Sequence, residues 1–168
     1  MPRKQFDNMW IRSDYMEDNF DPTKFRGHVE DLVDLLLNSD VKFDAIACRG
    51  VSGLIVAAPV SFILDKPLVV VRKFLEGSHS NMMVEGYLEK NLRYIIVDDF
   101  MKTGNTIRKI IEEISYFYDS QENPDSEWGI KSARCVGVFF YTRCNQDNLN
   151  NSNACFFKKY IRGPIQYL

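Results

Sequence analysis

The chain has 168 residues, 45% hydrophobic and 26% charged, with a formal net charge of −2. That length suits one domain able to bury a core without covalent staples, and the charge argues against a general nucleic-acid-binding surface. Cys48, Cys135, Cys144 and Cys155 show no CxxC spacing, and only His28 and His79 could join them. Neither a zinc site nor a disulfide framework is expected, and the thiols read as reduced, as in a cytoplasmic protein.

Residues 1–20 are polar with scattered aromatics (Phe6, Trp10, Tyr15, Phe20) and suit an arm packed over the domain. The first ten residues lack a signal-peptide core, and no apolar run approaches membrane-spanning length, so no membrane partner is expected. Asp21-Pro22 predicts a helix start. Val29, Leu32, Val33, Leu36 and Leu37 then recur at helical spacing and carry that helix to Asn38. His28 is assigned no role. Phe43 to Cys48 reads as the first core strand, followed by a glycine turn, Arg49-Gly50-Val51-Ser52-Gly53, and an apolar helix over 54–64 that Pro59 should bend. By itself that turn is an ordinary strand-to-helix connection.

Pro67 to Val71 is an apolar, β-branched strand ending in Arg72-Lys73. Two cations at a strand end are costly to bury unless an anion sits nearby; a solvated strand end is the alternative. Phe74 to Glu85 has no periodicity and carries Gly77, Ser78, His79, Ser80 and Asn81, which suits a lid. Gly86 to Glu89 reads as a short returning strand.

Tyr94 to Val97 is a charge-free apolar run, as expected for a strand buried on both faces of a parallel sheet. Asp98 and Asp99 follow at its carboxyl end, then Phe100-Met101-Lys102, Thr103-Gly104-Asn105-Thr106, and a helix over 106–118 with Ile107, Ile110, Ile111, Ile114 and Phe117 on one face. In open α/β sheets ligands bind where such loops lead into helix amino termini. The backbone N–H groups of Lys102 to Thr106 can wrap an anion, with Gly104 allowing close approach. Two carboxylates would repel that anion, so they suit another part of the same ligand: vicinal ribose hydroxyls or a magnesium ion. The plainer alternative is a helix cap at Thr103 or Asn105 beside a solvated strand end. Residues 119–129 read as a polar linker, 133–141 as another buried strand, 145–153 as an Asn-rich loop and 156–160 as a possible last strand. The tail from Ile161 is apolar enough to fold back.

The order of four apolar residues, two acidic, three variable and Thr-Gly-x-Thr resembles the signature of the type I phosphoribosyltransferases. Asn105 departs from it where many members carry a second glycine, although Asn tolerates positive φ. The resemblance covers roughly residues 43–141 and reaches neither end. It implies an α/β fold of three layers, a mainly parallel sheet flanked by helices, as one domain over 1–168. The core spans about 21–142, and a small hood is built from terminal segments, 1–20 and 143–168. It implies transfer of the phosphoribosyl group of phosphoribosyl pyrophosphate (PRPP) to a nitrogenous base with release of pyrophosphate. Arg49 and Gly50, with Gly53, resemble the pyrophosphate loop, and Arg72 and Lys73 the basic residues near it. Asp98 and Asp99 would hold the ribose hydroxyls, and Lys102, Thr103, Gly104, Asn105 and Thr106 the phosphate. His79 would assist the leaving group from a mobile loop. Mg2+ would be bound mainly through PRPP, with Asp98 and Asp99 the carboxylates within its reach, and the assembly would be a homodimer. Members using 6-oxopurines often have an acidic residue where this chain has Lys102, which points towards adenine, an acidic base such as orotate, or a less usual acceptor. Two other readings are a non-catalytic PRPP-binding regulator and an unrelated α/β receiver or phosphatase that would leave the Thr-Gly-Asn-Thr turn idle.

Overall fold

The computed structural model describes residues 16–73, 82–89, 91–120, 133–142 and 149–167. In chain order the elements are α1 (Glu17–Phe20), α2 (Pro22–Leu37), β1 (Ala45–Arg49), α3 (Gly50–Ile63), β2 (Leu68–Val71), β3 (Val84–Gly86), β4 (Leu92–Asp98), α4 (Asn105–Ser120), β5 (Ala133–Phe140), α5 (Asn151–Tyr160) and β6 (Ile165–Tyr167). The strands form one sheet in the order β3-β2-β1-β4-β5-β6. All neighbours are parallel except β2 and β3.

Strand periodicity divides the core between the two faces. Ile46, Cys48, Ile95, Val97, Phe139 and Tyr141 point to one side, where Val29, Leu32, Val33 and Leu36 of α2 and Val56, Ala57 and Val60 of α3 cover them. Ala45, Ala47, Tyr94, Ile96, Val138 and Phe140 point to the other, under Ile107, Ile110, Ile111 and Ile114 of α4 and Phe157 of α5. The result is the expected three-layer α/β architecture. Because β1 leads into α3 and β4 into α4, on opposite faces, the chain parts between two adjacent central strands. Their carboxyl ends border the crevice where such folds bind ligands.

The start of α2 is as expected: Asp21 Oδ1 accepts from the N–H groups of Thr23 and Lys24, with Pro22 in the first turn. Leu37, placed on its apolar face by spacing, is instead 67% exposed. Other expectations need correction. The helix expected from Leu54 begins at Gly50, because Gly50 turns the chain within one residue at φ +67 and no loop intervenes. Gly53 is thus a helix residue packed on the sheet, where a Cβ would lie 3.2 Å from the Val97 carbonyl oxygen. The returning strand is Val84–Gly86, not 86–89, and pairs antiparallel with β2. The expected lid therefore ends earlier, and residues 74–81 lie outside the described residues.

Residues 156–160, expected as a strand, belong to α5. Asn150 caps that helix by accepting from the Asn153 N–H at 2.9 Å, and Asn153 and Phe157, four apart, are its buried residues. The tail folds back as β6, parallel to β5 at the sheet edge. The C-terminal segment expected in the hood thus supplies a sheet strand and a covering helix. The other hood candidate, 1–20, is described only from residue 16. Within it α1 is tied to the core by Asn19, whose Nδ2 donates to the Tyr141 hydroxyl at 3.0 Å.

Candidate active site

A cleft of about 200 Å³ opens at the carboxyl ends of β1, β2 and β4, several times the ~30 Å³ share of one water. It is lined by Arg49, Ser52, Lys73 and the unbroken run from Asp98 to Ile107. The structure thus brings together Arg49, Lys73, Asp98, Asp99, Lys102, Thr103, Gly104, Asn105 and Thr106. Gly50 sits beside them beneath Lys73, where a Cβ would be 2.9 Å from the lysine Nζ. Arg72 does not line the cleft: it turns to β3, with Nη1 3.4 Å from Glu85 Oε1. His79 lies outside the described residues.

The two aspartates end a strand buried on both faces and are themselves 2% and 6% exposed. Asp98 Oδ1 accepts from the Asp99 N–H at 3.1 Å, and Asp99 Oδ1 from the Phe100 N–H at 2.9 Å. Their backbone carbonyls are held from β5: Asp98 O accepts from the Tyr141 N–H, and Asp99 O from the Thr142 N–H and hydroxyl. Burial first, and then the Asp99 charge, push the Asp98 carboxyl well above the ordinary carboxylate range, while Lys73 acts in the opposite sense. A second cation beside the pair would act in the same sense as Lys73. Among the described residues no group of three or more His, Cys, Asp and Glu could hold a metal ion by itself.

The turn after the aspartates is a compact cradle. Gly104 takes φ +81, and its carbonyl accepts the first helical bond from the Arg108 N–H at 3.0 Å. Thr103 Oγ1 accepts a long bond of 3.4 Å from the Asn105 N–H, so the capping expected as the plainer alternative is present in weak form. Arg49 Nε is buried in the cleft wall with no hydrogen-bond partner among the described residues. Such a donor calls for an acceptor. With Lys73 and Lys102 it gives the cleft three cations beside its two carboxylates.

Sequence reasoning missed two parts of this site. Ser52 reaches the cleft because α3 starts early, and its carbonyl accepts from the Tyr141 hydroxyl at 2.8 Å. Asn153 of α5 donates to the Thr103 carbonyl and to Asn105 Oδ1. The one available signal was Asn150 at a helix cap, with Asn153 and Phe157 following at helical spacing.

A family model described as the phosphoribosyl transferase domain matches residues 23–118, more than half of the chain. Over 96 residues the chain is 32% identical to an orotate phosphoribosyltransferase of Cenarchaeum symbiosum, covering 55% of this chain and 48% of that protein. It is 30% identical over 109 residues to an adenine phosphoribosyltransferase of Fervidobacterium nodosum, covering 55% and 63%. The chain thus spans less than two thirds of the length of these curated relatives. The fold is shared with a crystal structure of adenine phosphoribosyltransferase from Thermoanaerobacter pseudethanolicus, at a TM-score of 0.57 and 20% identity, over 88% of this chain and 81% of that one. The sheet order, the acidic strand end leading into a Thr-Gly-Asn-Thr turn and the family match agree, and the chain belongs to the phosphoribosyl transferase domain family.

Proposed function

We propose that the protein transfers the 5-phosphoribosyl group of PRPP to a nitrogenous base and releases pyrophosphate. The observation that carries this reading is the buried Asp98-Asp99 pair leading directly into a cationic, amide-rich turn at the crevice between β1 and β4. The cradle Lys102 to Thr106 takes the 5-phosphate on backbone N–H groups and the Thr103 and Thr106 hydroxyls. Asp98 and Asp99 accept from the ribose hydroxyls. Arg49 and Lys73 face the pyrophosphate, and Arg49 Nε gains there the acceptor it otherwise lacks.

In the reaction a ring nitrogen of the base attacks C1 of the ribose as the C1–O bond breaks, the bond's electron pair leaves with the pyrophosphate, and the proton that the nitrogen carried passes to the departing pyrophosphate. No covalent intermediate with the protein is required. The protein stabilises charge that grows on the leaving group and on C1 through groups fixed in advance. Among the described residues no three-ligand cage is present, so Mg2+ would be held mainly by the diphosphate of PRPP, with Asp98 and Asp99 as the cleft carboxylates that could join it. When bound it neutralises the diphosphate. His79 remains our candidate for assisting pyrophosphate departure.

We propose orotate or adenine as acceptor, in line with the enzymes named above and with a cation, Lys102, at the cleft. We also propose a homodimer. Helix α3 carries no charged residue, yet Val51, Phe62 and Ile63 are 61%, 87% and 53% exposed on it. A helix apolar all round belongs between two packed surfaces. A cytoplasmic location suits the free thiols Cys48, Cys135 and Cys155. Among the described residues no helix is long and apolar enough to cross a membrane.

Calorimetric titration of PRPP with Mg2+ into wild type and the Asp98→Asn/Asp99→Asn double variant tests the assignment. Each lost charge-assisted bond is worth about 1.5–3 kcal/mol, so each substitution should weaken binding roughly ten- to hundredfold. Unchanged affinity in the double variant would remove the aspartates from the site.

A further inference from the structure

The cradle is braced from behind by α5, and the contact is specific. Asn153 is 1% exposed, and its Nδ2 donates at 2.7 Å to the Thr103 carbonyl and at 2.8 Å to Asn105 Oδ1. Both amide hydrogens are therefore used, and a flipped amide would set oxygen against two acceptors. Asn150 in turn holds Asn153 through its N–H. Around this pair Leu149 and Phe157, four residues to either side, close on Gly104: a Cβ there would meet Phe157 Cζ at 2.6 Å and Leu149 Cδ1 at 2.8 Å. The free side of Gly104 thus faces the C-terminal segment.

From this geometry we infer that Asn153 is a positioning residue for the phosphate cradle; the inference rests on the reading that the cradle holds the 5-phosphate. In a planar trans peptide the C=O and the next N–H point in opposite directions. Drawing the Thr103 carbonyl towards α5 therefore aims the Gly104 N–H away from α5, on the side where Thr103 and Gly104 line the cleft. Without Asn153 this peptide can rotate and present an oxygen to the anion in place of a donor. The bond to Asn105 Oδ1 likewise fixes that side chain's oxygen at α5 and leaves its Nδ2 end, a donor, as the one an anion can use. This gives Asn105, the departure from the Thr-Gly-Gly-Thr pattern, a partner in the fold. Asn153 Oδ1 is buried without a hydrogen-bond partner among the described residues, so an apolar residue would serve packing better. Its two donors are what recommend asparagine here.

The test uses the full chain with Asn153→Leu, and with Asn153→Ser should the first not fold. Ribose 5-phosphate and inorganic pyrophosphate are titrated separately by calorimetry, because only the former uses the cradle. The account expects the ribose 5-phosphate Kd to rise roughly tenfold and that of pyrophosphate to stay within about twofold. In turnover, the KM for PRPP should rise more than kcat falls. An unchanged ribose 5-phosphate Kd, or equal weakening of both ligands, overturns the inference. Thr103→Val separates the two levels. If it weakens ribose 5-phosphate and Asn153→Leu does not, the positioning role alone fails; if neither matters, the cradle reading fails as well.

Discussion

Replacing Gly104 with alanine is the most direct probe of how the cradle is built. Two costs can be worked from the structure. A β-carbon at φ +81 carries the left-handed penalty of about 1–2 kcal/mol. The same carbon would lie 2.6 Å from Phe157 Cζ and 2.8 Å from Leu149 Cδ1, so one buried and one half-buried side chain must shift. Overpacking of this kind costs typically about 1–3 kcal/mol. The sum is about 3 kcal/mol, and for a chain of this size each kcal/mol moves Tm by roughly 2–4 °C. Gly104→Ala should therefore melt about 6–12 °C below wild type without any ligand, as read by circular dichroism. The second variant, Gly104→Ala/Phe157→Leu, should recover part of the steric cost and none of the backbone cost. If Gly104 instead served only to let a ligand approach, Tm would barely move while PRPP binding collapsed. A melting temperature within about 2 °C of wild type, or a double variant no better than the single, would refute the packing argument.

Asp98→Asn should stabilise the protein while weakening its use of PRPP. The folded-state carboxyl is raised above its ordinary 3.8, so its favourable contribution is complete below that value and is lost as pH rises through the folded value. The amide escapes this cost, and its Tm advantage over wild type should grow from acid towards neutral pH; a difference flat with pH would contradict it. Thr103→Val should lower PRPP affinity with little change in ligand-free Tm, whereas a pure capping role would appear as about 1 kcal/mol of lost stability. Tyr141→Phe leaves the Ser52 carbonyl and the Asn19 amide without their partner, and should cost about 1–3 kcal/mol in urea melts. Loss below about 0.5 kcal/mol would show that water replaces the hydroxyl.

The central half of the fold could be read because its signals are local. Tyr94 to Val97 is apolar without interruption since both sheet faces are covered, and Asp21-Pro22 satisfies the first amides of α2 within three residues. Where the reading failed, a distant partner decided. The run 156–160 holds Phe156, Phe157 and Tyr160, which suit a strand by composition, but Asn150 caps a helix there and Phe157 packs beside the cradle. Gly50 and Gly53 look like a loop; one instead starts a helix at positive φ and the other lets it lie on the sheet. Arg72 and Lys73 are neighbours with different fates, because their side chains leave opposite faces of the chain. One meets Glu85 on β3, a strand that starts two residues before the expected Gly86, and the other enters the cleft. Most of the lining, Asp98 to Thr106, was legible as one motif. Asn153 was not, since its partners stand 50 and 48 residues away.

The measurement that bears most directly on the central claim is pyrophosphate release from PRPP and Mg2+ against a panel of bases including orotate, adenine and 6-oxopurines. The account predicts release that depends on the added base, with orotate or adenine supporting it and 6-oxopurines not, and loss of that release in Asp98→Asn/Asp99→Asn. Binding of PRPP with no release for any base would contradict catalysis and favour a regulator, and absence of PRPP binding would contradict the assignment of the cleft itself.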